Sequence, residues 1–73
     1  MTILQFIKDK KNSENLISNI MHSAIQTVLD INYPGVDANS LSKDQYKMMF
    51  HYIIDNFTIE KQFTGGYVVI PKN

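Results

Sequence analysis

The chain contains no cysteine, which excludes a disulfide framework and any thiolate metal site. It also has no arginine, so all seven of its basic side chains are lysines. Arginine carries the planar fork that reads guanine edges and grips phosphate at two points, whereas lysine offers a single point charge. Seven acidic side chains balance the seven lysines, for a net charge of +0. A neutral, arginine-free chain is poorly equipped to hold nucleic acid, and little charge repulsion keeps its copies or partners away. No apolar run approaches the roughly 18 residues that a membrane span needs. The first residues lack a basic stretch leading into an apolar one, so no secretory signal is expected and the expected location is cytoplasmic.

Within those limits the composition is that of a folded protein. Hydrophobic residues make up 44% of the 73 positions, enough for a core and too many for disorder. The length predicts one domain over residues 1–73, near the lower end of what folds alone. A domain this small, without disulfide or metal, needs tight packing or a partner to cover what it cannot bury. Asn, Ile and Lys supply 24 residues, a bias of AT-rich coding DNA that points toward a bacterial or phage source.

The strongest local signal lies at Ser42–Phe57. Tyr46, Met49, Phe50, Ile53, Ile54 and Phe57 fall at the spacing of one helix face. Ser42 with Gln45 forms a capping box, and Asp44 places negative charge in the first turn, where the helix dipole favours it. A longer helix is predicted from Glu14 to about Ile31, capped by Asn12-Ser13. Its stripe is Leu16, Ile17, Ile20, Met21, Ala24, Ile25, Val28 and Leu29. The opposite face (Ser18, Asn19, His22, Ser23, Gln26, Thr27, Asp30) is almost uncharged and costs little to desolvate, as an interface requires.

Thr2–Lys11 reads as a short helix with its own capping box, Thr2 with Gln5. Ile3, Leu4 and Ile7 share its apolar face beside Phe6, and Lys8, Lys10 and Lys11 close it. That apolar length is too small for a membrane anchor, so core packing is expected. Asn32-Tyr33-Pro34-Gly35 ends the long helix, with Pro34-Gly35 suited to a type II turn. Val36–Leu41 is then a loop or a single helical turn. After the third helix, Thr58–Phe63 and Tyr67–Ile70 read as two strands of a β-hairpin. Gly65-Gly66 would be its two-residue type I′ turn. That register pairs Phe63 with Val68 and Lys61 with Ile70, placing Ile59, Phe63, Val68 and Ile70 inside and Gln62, Thr64, Tyr67 and Val69 outside. The fold class expected is α+β: a small, mostly helical domain of two to three helices with a C-terminal β-hairpin.

Catalytic equipment is missing from the pattern. His51 and Asp55 are one helical turn apart, but two ligands do not make a metal site, and His22 has no implied partner. Asp37 and Asn39 begin like a calcium loop, but Leu41 and Ser42 stand where a ligand and a glycine belong. Gly65-Gly66 has no following GK[ST] and no helix, so it is not a phosphate loop, and no nucleophile motif occurs. The carboxylates are scattered. No catalytic, cofactor or metal role is assigned.

What remains is binding. Met48 and Tyr52 lie opposite the apolar face of the third helix, ringed by Asp44, Lys47, His51 and Asp55. Such a methionine–aromatic pair amid polar residues suits an interaction surface. With Tyr67 and Val69 on the outer hairpin face, the expected protein-contact residues are Met48, Tyr52, Tyr67 and Val69. The expected function is a small non-enzymatic protein-binding module, a dimer or an inhibitor or modulator of a larger complex, of the phage or mobile-element accessory kind. The element order also resembles a winged helix-turn-helix, which would make Ser42–Phe57 a recognition helix and Gly65-Gly66 the wing tip. A DNA-binding regulator of that type would use Lys43, Lys47, His51 and Lys61. Asp44 and Asp55 would face the phosphates with them, and the wing would lack a basic tip.

Overall fold

A computed structural model describes residues 1–72. In chain order its elements are α1 (Ile3–Lys8), α2 (Glu14–Asn32), a 3-10 turn (Ala38–Ser40), α3 (Lys43–Asn56), β1 (Phe57–Lys61) and β2 (Tyr67–Pro71). The expected α+β class and helices-then-hairpin order are present. The caps set the helix starts. Thr2 and Ser42 each accept from the backbone N–H three residues on, and Gln5 and Gln45 return a side-chain bond to the cap, completing both boxes. Ser13 caps α2 through the Leu16 N–H.

α1 is shorter than expected, ending at Lys8 with Asp9 as its C-cap. Lys10 and Lys11 therefore lie beyond its last turn. Asp9 instead accepts from the Lys11 N–H, and the Asn12 side chain donates to the Phe6 carbonyl at 3.0 Å. Its inward residues are Ile3 and Phe6, with Ile7 half-buried, while Leu4 faces solvent. Phe6 is the larger side chain and takes the central place, its ring edge-on to Tyr67 at 4.9 Å.

α2 is the spine. Met21, Ala24, Ile25, Val28 and Leu29 are buried in one cluster with Ile3, Phe6, Ala38, Ile53 and Ile59, and Leu16, Ile17 and Ile20 pack at its margin. The helix stops where expected. The Tyr33 carbonyl accepts from the Val36 N–H, and Gly35 sits at φ 91°, the positive value that the third position of a type II turn requires. Gln26 then ties the returning chain down: its amide nitrogen donates to the Val36 carbonyl at 2.9 Å and its oxygen accepts from the Ala38 N–H at 2.8 Å. Ala38 is thereby held in the core and α3 is aimed across α2.

α3 passes into β1 with no intervening residue. Phe57 caps the helix through the Ile53 carbonyl while its own backbone is already extended (φ −130°, ψ 155°). The hairpin differs from the expected register. Phe57 pairs with Pro71, Ile59 with Val69 and Lys61 with Tyr67. Gln62 and Gly66 close a loop of Phe63, Thr64 and Gly65 through a 2.6 Å bond, and the Gly65 N–H bonds the Gln62 carbonyl. Gly65 is at φ 100° but Gly66 does not have positive φ, so the connection is a turn with a one-glycine bulge rather than a type I′ turn. Against the two-residue register the pairing is shifted by an odd number of residues, which turns β2 over. Phe57, Ile59, Tyr67 and Val69 therefore face the helices. Phe63, expected inside, is fully exposed at the loop tip (107%).

The free edge of β1 is not bare. The Ile59 N–H bonds the Met1 carbonyl at 3.0 Å, and Thr2 bridges Thr58 in antiparallel fashion. No helix among the described residues is long and apolar enough to cross a membrane.

Candidate functional site

Two apolar depressions open beside the core. The first is a shallow dish at the junction of α2, the Pro34-Gly35 turn and α3. Leu29, Tyr33, Val36, Leu41, Gln45, Met48 and Met49 line it, with a volume of about 270 Å³. Met48 and Tyr33 project at its rim, 71% and 63% exposed, while Leu29 at its floor is buried in the core. The outward position of Met48 follows from its phase on α3: it lies opposite the face that Tyr46, Met49, Phe50, Ile53 and Ile54 turn to the core. Tyr33 is outward because the helix ends beneath it, its N–H bonding the Leu29 carbonyl. Helix phase is enough to expect Met48 outward, whereas Tyr33, in the Asn32–Gly35 turn, carries no such signal.

Tyr52 lies one turn after Met48 on the same face of α3. It is exposed, as expected, with its ring edge-on to Phe57 at 6.1 Å. Phe57 in turn belongs to the second depression, a groove of about 440 Å³ between α2 and β2. Ile20, Ala24, Val28 and Ile31 form its helical wall with Asn19, Ser23 and Thr27, and Phe57, Tyr67, Val68 and Val69 form the other. No lining residue of either depression is charged. The small polar face of α2 thus forms part of a groove wall, and Ile31, 74% exposed, marks its open end.

Tyr67 and Val69 require a correction. They are not on the outer hairpin face. The shifted register puts them inside, half-buried, with the Tyr67 ring against Phe6. They still reach the groove, as its wall rather than as projecting contacts.

His22 also differs from expectation. It is half-buried, its ring 6.2 Å from that of Tyr46, with Nδ1 3.5 Å from the Tyr46 hydroxyl. His51 is exposed on α3 near Asp55, and no three His, Asp or Glu side chains among the described residues gather into a metal-binding group. Lys43 and Lys47 are exposed along α3, with Asp44 and Asp55 exposed on the same helix. Lys61 is exposed where β1 meets the loop, but that loop (Gln62–Gly66) carries no basic residue. Compared with protein-family models, curated proteins and solved structures, the chain matches none.

Proposed function

We propose that this protein is a non-enzymatic binding module that docks on another protein through the dish around Met48, acting as an inhibitor or modulator of a larger complex. The observation that carries the reading is the pair of large side chains, Met48 and Tyr33, standing exposed over an uncharged apolar floor. Methionine suits such a place because its flexible, polarisable side chain adapts to a partner's surface, and tyrosine adds contact area at low entropy cost. Tyr52 extends the surface along α3. Asp44, Lys47, His51 and Asp55, exposed on α3 around Met48 and Tyr52, supply charges of both signs, the usual border of a protein interface. The same mixture speaks against the winged-helix regulator, since phosphate contacts reward one sign of charge.

The test is a set of single aspartate substitutions, Met48→Asp, Tyr33→Asp and Tyr52→Asp. Each should leave the circular dichroism spectrum and cooperative melting in place while partner capture is lost. Unfolding by Met48→Asp would show that the side chain supports the core and would remove the basis of the proposal.

A further inference from the structure

We infer that a second copy of this chain pairs antiparallel along the outer edge of β2 and closes the groove between α2 and β2. The surface is separate from the Met48 dish and does not depend on its role.

The edge can be read from the hairpin's own hydrogen bonds. Gln62 bonds Gly66 and the Lys72 N–H bonds the Asn56 carbonyl at 2.8 Å. Bonded and non-bonded pairs alternate in an antiparallel ladder, so Glu60–Val68 and Thr58–Ile70 are bonded pairs, and Val68 and Ile70 turn their backbone groups toward β1. Tyr67 and Val69 turn theirs away, and among the described residues nothing pairs with that edge. On β1 the outward N–H of Ile59 is bonded to Met1 and Thr2 bridges Thr58. The β1 edge is thus covered along Thr58–Ile59, and the charged Lys61 stands at its loop end, while the β2 edge is open among the described residues.

Three features favour a copy of the chain as occupant. First, the open edge is self-complementary. A two-fold axis at Val68 sets Tyr67 opposite Val69 of the second copy, and the reverse, joining both free donors and both free acceptors of each strand in four bonds. Second, the side chains that this brings over, Tyr67 and Val69 of the second copy, fall on the groove side. There they meet an uncharged wall that includes Ile20, Ala24 and Ile31. The strand Tyr67–Pro71 carries no charge, so none of the charges that natural edge strands use to repel a copy is present; its one blunting residue, Pro71, ends the strand beyond the Tyr67 and Val69 donors. Third, the assembly closes. Its strand order is β1-β2-β2-β1, with Met1 and Thr2 covering the Thr58–Ile59 stretch of each outer edge and charged Lys61 beyond it, which favours a dimer over a growing sheet.

Sedimentation velocity of the full chain, with amide hydrogen exchange at low and high concentration, tests this. The inference expects a concentration-dependent dimer. It also expects the Tyr67 and Val69 amides to become protected only as the dimer forms, while Val68 and Ile70 stay protected throughout. Val68, half-buried, alternates with Tyr67 and Val69 onto the sheet face it shares with Glu60, where it meets Val68 of the second copy, so Val68→Lys and Val68→Glu should each be folded and monomeric. Mixed in equal amounts, they should recover the dimer by charge pairing. Met48→Asp should leave the dimer untouched. A wild-type chain that stays monomeric up to about 1 mM overturns the inference and leaves the edge to some other extended segment. A dimer abolished by Met48→Asp but indifferent to Val68 also overturns it, placing self-association at the dish.

Discussion

Replacing Gln26 with leucine probes the joint that aims α3 across α2. The side chain satisfies two backbone groups of the returning chain, the Val36 carbonyl at 2.9 Å and the Ala38 N–H at 2.8 Å, both partly buried. Its third bond, to the Asp30 carboxylate, is exposed and contributes little. Leaving a buried donor or acceptor unpaired costs about 1–3 kcal/mol. With two such groups, each within reach of some water, Gln26→Leu should cost about 2 kcal/mol. A chain of this length has roughly 4–11 kcal/mol of stability, so the loss is a large fraction of the whole. At about 4–8 °C per kcal/mol for domains of this size, Tm should fall by roughly 8–16 °C. Urea denaturation followed by circular dichroism reads the cost directly, and an unchanged m-value would show that the denatured state was not altered. The Met48 dish should loosen too, since Val36 and Leu41 line it. A cost below about 0.5 kcal/mol would refute the reasoning: surface substitutions without structural consequence fall in that range.

Two further substitutions test the fold. Phe6→Ala removes a fully buried ring that joins α1 to β2; it should cost about 3–5 kcal/mol and leave the chain partly unfolded at 37 °C, as thermal melts would show. Gly65→Ala should cost about 1–2 kcal/mol because its φ of 100° is strained for any side chain, whereas Gly66→Ala should be nearly neutral. Equal losses at both glycines would indicate the two-residue type I′ turn and contradict the observed register.

The helices were legible because their signals are local. Thr2 with Gln5, Ser13, and Ser42 with Gln45 are caps that need only a few neighbouring residues, and the stripe from Leu16 to Leu29 repeats at the helical period. Pro34-Gly35 fixed the end of α2 for the same reason. The hairpin register was not local. Two consecutive glycines permit either turn, and the choice falls to tertiary packing: the observed register sets Tyr67 on Phe6 and brings Val69 inward beside Ile59, at the expense of exposing Phe63. Of the candidate contacts, Met48 and Tyr52 were recoverable from helix phase alone. Tyr67 and Val69 inherited the register error. The Gln26 clamp joins residues ten and twelve apart around a turn, and Tyr33 meets Met48 from 15 residues away (48 − 33), relations that periodicity does not encode.

The central claim is that the dish around Met48 binds a protein. Affinity capture of the tagged chain from a cell lysate, in nuclease-treated and untreated halves and with Met48→Asp as control, tests it most directly. The account predicts one defined protein retained equally in both halves by the wild-type chain and absent from the Met48→Asp capture. Bound material that vanishes with nuclease, or a partner that Met48→Asp retains in full, would contradict it.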